Sequence, residues 1–380
     1  MKRKKILRIT TADISLNSLL RGQLRFLNQY YDVVGVASDT GVLNAVGERE
    51  GIRVIDVPMH REISLKADIV SLWKLYRLFR KERPDILHAN TPKGSLLAMV
   101  AGMLAGVPRR IYLVTGLRYQ GAQGKFRYLL KTMERLSCRF ATNVIPEGQG
   151  VLHILQKDGI TNKPLRVLHY GNINGIDTQY YDIEATIIDK ELANWASRKF
   201  TFVFVGRIVR DKGIEELVAC IRQLDCQLIL VGTFEKDNAV SKSTQEFLET
   251  SQKVKFVGWQ EDVRPFLAVA NALVFPSYRE GFPNAPMQAG AFNLPSIVTD
   301  INGCNEIIKD GLNGKIIQAP LNEKGVYTND ITQPLEQTMR WFLTHQEEVK
   351  RMGKNARRMI VERYEQKDVW QALLDYYNAL

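Results

Sequence analysis

Short runs of β-branched residues alternate with stretches whose apolar side chains recur every three or four positions, and this alternation passes through the 380-residue chain twice. In the first half it predicts strands at residues 5–9, 32–37, 52–57, 86–88, 110–114, 143–146 and 165–168, separated by helices at 18–29, 40–50, 67–82, 96–104 and 125–137. In the second half it predicts strands at 199–205, 227–231, 255–257, 272–275 and 296–299, helices at 214–223 and 263–270, and a helical tail from about residue 333. Strands that alternate with amphipathic helices build parallel βα units. The 67–82 helix carries Ile69, Leu72, Trp73, Tyr76 and Phe79 as one broad stripe, the pattern of a core-packed face.

Glycine and asparagine gather without hydrophobic period at 171–177, which marks a join. The expected architecture is α/β, with two doubly wound Rossmann-like domains facing across a cleft: residues 1–172, residues 173–360, and a helix at 361–380 that packs back on the first domain.

Composition adds little to this picture until charge is divided along the chain. Net charge is +11, yet residues 1–175 hold 28 basic and 13 acidic side chains, against 24 and 28 in the remainder. The first half is therefore expected to meet something anionic: nucleic acid, phospholipid headgroups or a phosphate-bearing substrate. The longest apolar run, 95–107, is too short to span a bilayer and reads as a buried helix. The basic start resembles a signal-peptide head, but Arg8 and Asp13 interrupt the apolar core that should follow, so a cytoplasmic chain is expected. Cys138, Cys220, Cys226 and Cys304 lack metal-ligand spacing and are expected reduced and buried, and the five scattered histidines build no zinc set.

Chemistry concentrates in the loops that follow second-half strands. Gly206-Arg207-Ile-Val-Arg210-Asp211-Lys212-Gly213 ends a strand and opens a helix, so backbone N–H groups, the helix dipole and the cations Arg207 and Lys212 suit a diphosphate. Gly232-Thr233 follows the next strand. Phe275-Pro-Ser-Tyr-Arg-Glu280-Gly-Phe-Pro-Asn-Ala-Pro-Met-Gln288 places a carboxylate in a loop and an amide on the helix after it, and Asp300-Ile-Asn-Gly303-Cys-Asn-Glu306 closes the series. Asp13, after the first strand, is placed either to touch a substrate or to cap the helix that follows.

This series resembles the donor domain of retaining GT-B glycosyltransferases of family four, through Gly206, Arg207, Lys212 and Gly213 and through the frame around Glu280. The first half is similar to the acceptor domain of the bacterial surface-polysaccharide members, through Leu20-Arg21-Gly22-Gln23-Leu24, Pro84-Asp-Ile-Leu-His88-Ala-Asn90-Thr-Pro-Lys93, Gly116-Leu-Arg118 and Asn174-Gly-Ile-Asp177. The resemblance implies that Glu280 orients the donor sugar while Arg207 and Lys212 stabilise the leaving diphosphate. It implies donor contacts at Gly206, Gly213, Gly281, Phe282, Pro283, Asn284, Gln288 and Glu306, and acceptor-side roles for Asp13 and Arg118. It further implies retention of configuration, a UDP- or GDP-linked sugar as co-substrate, no cofactor and no metal, and a lipid-linked saccharide acceptor. The chain departs from the family at Gln288, where a second glutamate is usual. An amide accepts one fewer ribose hydroxyl bond than a carboxylate, a cost of about 1 kcal/mol, or roughly tenfold in donor affinity.

Arg118-Tyr119 and Lys125-Phe126-Arg127-Tyr128-Leu129-Leu130-Lys131, with Lys2 to Lys5, interleave basic and aromatic residues and are expected to rest on an anionic membrane surface at the inner face of the cell membrane. Two other readings stand beside the transferase: a nucleotide-sugar 2-epimerase of the same fold, and a non-catalytic sugar-nucleotide-binding member of a polysaccharide assembly complex. Nucleic acid ranks last, because it leaves the second-half loops without a role.

Overall fold

The structure, a computed structural model, describes residues 3–60, 64–322 and 325–380. The chain divides into two compact units, one of residues 1–175 with 367–380 and one of residues 176–366.

The first unit is built on six parallel strands: β1 (Lys5–Ala12), β2 (Asp32–Ser38), β3 (Arg53–Asp56), β4 (Ile86–Ala89), β5 (Arg109–Val114) and β6 (Asn143–Pro146), in the order β3-β2-β1-β4-β5-β6. Successive side chains of a strand point to opposite faces. Leu7 and Ile9 accordingly join one buried cluster with Val34 and Val36, while Ile6 joins another with Val33 and Ala37. Both faces of the sheet are thus covered, as parallel sheets require. The helix Gln366–Asn378 packs on this unit. Its Trp370 indole donates to Asn174 Oδ1 at 2.7 Å, and its Tyr377 hydroxyl accepts from Arg8 Nη1 at 2.9 Å. Arg8 is itself fully buried and also meets His88 Nδ1 at 2.7 Å. Burial, and then the Arg8 charge, hold the His88 imidazole well below its ordinary pKa.

The second unit repeats the plan with β7 (Thr201–Val205), β8 (Gln227–Val231), β9 (Val254–Gly258), β10 (Ala272–Phe275), β11 (Ser296–Thr299) and β12 (Gly314–Ile317), in the order β12-β11-β10-β7-β8-β9. The strand order reverses between β7 and β10, which follow one another only after β8 and β9.

Several local expectations are corrected. The helix expected at 18–29 is two, Asp13–Leu19 and Gln23–Leu27, because Gly22 adopts φ 82° and breaks the run. Glu50 supports the break by accepting from Gly22 N at 3.0 Å and Arg25 N at 3.1 Å. The strand expected at 165–168 is a single bridge between Leu165 and Val144. Helices Gln149–Lys157 and Lys242–Thr250 and strand β12 were not legible as elements. The stripe on the helix Leu65–Glu82 is a core face only in part: Phe79 is buried and Leu72 and Tyr76 pack against the core, while Ile69 is 66% and Trp73 58% exposed.

Candidate functional site

Open α/β sheets bind ligands outside the C-terminal ends of the strands at which their order reverses. In the second unit those strands are β7 and β10, and the loops that leave them, 206–213 and 276–283, are braced against each other. Tyr278 N donates to Asp211 O at 2.8 Å, and Arg279 Nε to Asp211 Oδ2 at 3.0 Å. The Tyr278 hydroxyl donates to Glu216, in the first turn of the helix Ile214–Gln223. Gly213, at φ 69°, permits the close approach, since a Cβ there would stand 2.1 Å from Pro276 O. Gly206 N donates to Val231 O at 3.0 Å and Ile208 N to Thr233 O at 2.8 Å, which ties the first loop to the end of β8.

Within these braces the Lys212 ammonium pairs with Glu280 Oε1. Ser277 Oγ donates to the same oxygen at 2.8 Å, and the ammonium lies 5.2 Å from the centre of the Phe275 ring. The two charged side chains are 13% and 15% exposed, shielded from water and still open to a ligand. A desolvated cation and carboxylate at a switch point are equipped to hold, in turn, a phosphate and sugar hydroxyls. Burial, and next the Glu280 charge, hold the neighbouring Cys304 thiol well above its ordinary pKa, so it stays protonated.

Arg207 is not brought to this pair. Its guanidinium turns to Glu235 Oε2 at 2.8 Å and is 57% exposed. Gln288 sits half-buried on the helix Asn284–Ala291, which Pro283 precedes as N-cap, and its Nε2 donates to the Tyr181 hydroxyl at 2.7 Å. The amide donor is engaged with a tyrosine and Oε1 is left to accept. Glu306 Oε1 accepts from Gly303 N at 3.3 Å and closes a turn there. Gly303, at φ 70°, approaches Gly281, Phe282 and Pro283 so closely that a Cβ would lie 2.6 Å from Gly281 O. Phe282 is buried, its ring 5.6 Å from that of Tyr364, so it braces the turn by packing.

In the first unit, Asp13 is fully buried and its oxygens accept from Ile14 N at 2.7 Å, Thr40 N at 2.7 Å, Thr40 Oγ1 at 2.5 Å and Val42 N at 3.0 Å. Burial alone would raise its pKa, but the bonds from Thr40, Val42 and Ile14 outweigh it and leave the carboxyl below the usual range. The carboxylate clamps the loop after β2. Arg118 is exposed in a short turn, Arg118–Gly121, and lines a small recess with Pro92 and Lys93 at the start of the helix Pro92–Leu104. Of the residues expected on a membrane, Lys2 lies outside the described residues, Lys5 donates to Glu82 Oε2 at 2.9 Å, and Tyr119 is buried beneath Arg127 and Lys131. Tyr119 therefore meets no lipid, whereas Phe126 and Tyr128 are exposed.

Sequence reasoning missed Ser277, Glu235 and Tyr181. Ser277 stands three residues before Glu280, the reach of a tight loop, and was open to inference. Tyr181 meets Gln288 across 107 residues, with no local signal.

A doubly wound unit with a shielded cation and carboxylate at its switch point has the layout of a ligand-binding α/β unit, and similarity narrows it. Residues 187–359 match the glycosyl transferases group 1 model and residues 16–147 the glycosyl transferase 4-like model. The chain is 30% identical to the capsular polysaccharide biosynthesis glycosyltransferase CapM of Staphylococcus aureus, over 100% of its own length and 98% of the relative's. It is 27% identical to the UDP-Gal:alpha-D-GlcNAc-diphosphoundecaprenol alpha-1,3-galactosyltransferase of Escherichia coli, over 93% and 92% of the two chains. The crystal structure of HepE of Anabaena in complex with UDP-glucose superposes with TM-score 0.79 at 17% identity, covering 99% of this chain and 100% of that one. WaaG, a glycosyltransferase involved in lipopolysaccharide biosynthesis, superposes with TM-score 0.70 at 15% identity, covering 97% and 98%. The chain belongs to the group 1 glycosyltransferases, and its fold is the two-domain GT-B fold.

Proposed function

We propose that this protein is a retaining, metal-independent glycosyltransferase that moves a sugar from a UDP- or GDP-linked donor to a lipid-linked saccharide during bacterial surface polysaccharide biosynthesis, at the cytoplasmic face of the membrane. The observation that carries the proposal is the shielded Lys212–Glu280 pair at the β7/β10 switch point. Cleavage of a sugar–diphosphate bond puts negative charge on phosphate oxygen and positive charge on the sugar ring, and preorganised charges aimed at both lower the barrier. An arriving diphosphate draws the Lys212 ammonium to itself, which frees Glu280 Oε1 for sugar hydroxyls while Ser277 keeps the carboxylate in place. Arg207 reaches the same diphosphate by releasing Glu235, an exposed pair that costs little to part. With lysine and arginine supplying the positive charge, the reaction proceeds without a divalent ion.

Gln288 Oε1 accepts a ribose hydroxyl while Tyr181 holds the amide. The Escherichia coli relative, named for a UDP-linked donor and a diphosphoundecaprenol acceptor, and the capsular Staphylococcus aureus relative support the choice of substrates. The basic first half supports an anionic membrane as the place of work. The test is a thermal-shift panel of nucleotide sugars followed by product analysis with and without a lipid-linked acceptor, since a ligand bound only to the native state raises Tm. A stabilising nucleotide sugar that is transferred only when acceptor is present, in the presence of chelator, is expected. Interconversion of the sugar without acceptor favours the epimerase, and binding without transfer across many acceptors favours the non-catalytic protein.

A further inference from the structure

The sheet of the second unit does not by itself fix Lys212 against Glu280. Among the described residues, β7 and β10 are paired only at Phe202 with Ala272 and Val203 with Leu273, so the ladder ends two residues before either strand does. The loops that carry Lys212 and Glu280 therefore leave from strand ends that are not bonded to each other. On its far side the Glu280 loop is tied to β11, where Thr299 Oγ1 donates to Ser277 O. On the side of Lys212, Tyr278 N donates to Asp211 O at 2.8 Å and Arg279 Nε to Asp211 Oδ2 at 3.0 Å. Both bonds end on one residue of a single short turn, Arg210–Lys212.

A further bond reaches past that turn. The Tyr278 hydroxyl donates to Glu216 Oε1, on the helix Ile214–Gln223, which buries Ile214, Leu217, Val218, Cys220 and Ile221 in the core. Burial, and then the bond to Glu216, hold the Tyr278 phenol above its ordinary pKa, so it keeps the proton that it donates. The Tyr278 ring is placed separately, stacked on Tyr327 with centroids 5.9 Å apart. To a ring already in place the hydroxyl adds one thing, a link from the Glu280 loop to a core-packed helix.

Glu216 makes that link at a cost in stability. It is buried, and its Oε2 has no hydrogen-bond partner among the described residues. A buried carboxylate with one oxygen unsatisfied destabilises a fold, and an apolar side chain of similar volume avoids the penalty. Stability given up beside a reactive pair is the mark of a functional constraint.

We infer that Tyr278 and Glu216 are positioning residues, whose hydrogen bond sets the Glu280 loop where its carboxylate can meet both Lys212 and the donor sugar. They act through Glu280 and need not touch substrate. Their part in turnover rests on the proposed transfer, whereas their hold on the loop does not.

The test compares Tyr278→Phe/Glu216→Leu with wild type and with Glu216→Gln, each as the whole protein. The double variant removes the bond without leaving a lone buried carboxylate, so its Tm is expected at or above the wild-type value. Its kcat for sugar transfer is expected to fall at least roughly tenfold, since a misplacement of about 1 Å can cost about 10²-fold. Affinity for the nucleoside diphosphate is expected to be retained, because Lys212 and the 206–213 loop are untouched. Glu216→Gln keeps an acceptor oxygen for Tyr278 and is expected to restore most of the turnover. Amide hydrogen exchange at 277–283 reads the loop without substrate, and in the double variant it is expected to rise at least roughly tenfold there and not elsewhere. Wild-type exchange or wild-type kcat in the double variant overturns the inference. So does exchange that rises throughout the second unit, the sign of a merely structural bond. A Glu216→Gln protein as impaired as the double variant also overturns it, since charge and not the hydrogen bond would then be at work. Absence of transfer by wild type on every donor and acceptor, with exchange faster at 277–283 in the double variant, counts against the proposed activity and leaves the positioning bond standing.

Discussion

Lys212 and Glu280, sixty-eight residues apart in sequence, form a shielded ion pair with Ser277 donating to the same carboxylate oxygen at 2.8 Å. Under the proposed function, donor binding exchanges this pair for contacts of Lys212 with phosphate and of Glu280 with sugar hydroxyls. Glu280→Gln is expected to lower kcat by about 10²- to 10³-fold, the usual effect of losing one preorganised electrostatic contact. Lys212→Ala is expected to do the same, and the double variant to lose much less than the product of the two, because the groups act as a unit. Steady-state transfer rates on the four proteins measure this, and strictly multiplicative losses would show the residues acting independently.

Under the proposed function, Gln288 is expected to set donor affinity below that of a carboxylate-bearing site. Gln288→Glu is expected to tighten the donor Kd by roughly tenfold, since the diol gains a charged acceptor and the Tyr181 hydroxyl becomes a donor to it. Tyr181→Phe in the native background is expected to weaken donor binding several-fold with little change in kcat, because the amide loses its anchor. Calorimetric titration with the preferred nucleotide sugar reads both.

Arg207 and Glu235 are expected to behave differently from the shielded pair. Glu235→Ala should change the unfolding free energy by no more than exposed ion pairs contribute, about 0–1 kcal/mol. It should also leave donor affinity unchanged or improved, since Arg207 is released toward the diphosphate. Arg207→Ala should weaken donor binding and turnover together.

Stability of the first unit should fall between weakly acid and neutral pH because of Glu134. Burial pushes its pKa up to about 7, partly offset by the Tyr112 hydroxyl that donates to it at 2.6 Å. The folded state therefore binds a proton that the unfolded chain, with an ordinary carboxyl pKa near ~4.3, has released. The resulting stabilisation is complete below the unfolded value and is lost as pH rises through about 7. Glu134→Gln keeps an acceptor for Tyr112 and removes the titration, so it should be on the order of 1–3 kcal/mol more stable than wild type at pH 8 and about equal at pH 4. Denaturant midpoints at the two pH values give the comparison.

The loops of the second unit were legible because the requirement is local. A strand end, a glycine and a cation or carboxylate lie within eight residues of one another, and the strand order places the loops together without further information. Contacts fixed by tertiary packing were not legible. The stripe Ile69, Leu72, Trp73, Tyr76 and Phe79 shows helical period, but period does not say which side has a neighbour: Leu75 and Phe79 found the core and Trp73 did not. Tyr181 lies in an irregular stretch after the join, where neither period nor motif points to Gln288. Asp13 illustrates a third limit. A carboxylate after β1 looks chemically available, yet four short donors from its own helix and from the loop after β2 consume it.

The most direct measurement is the anomeric configuration of the linkage made when the preferred nucleotide sugar and a diphosphate-lipid-linked saccharide are incubated with wild-type protein in the presence of chelator, read by proton coupling at the new anomeric carbon. A linkage with the donor's own configuration, formed about 10²- to 10³-fold more slowly by Glu280→Gln, is predicted. An inverted linkage, or transfer that survives Glu280→Gln undiminished, would contradict the assignment of this site.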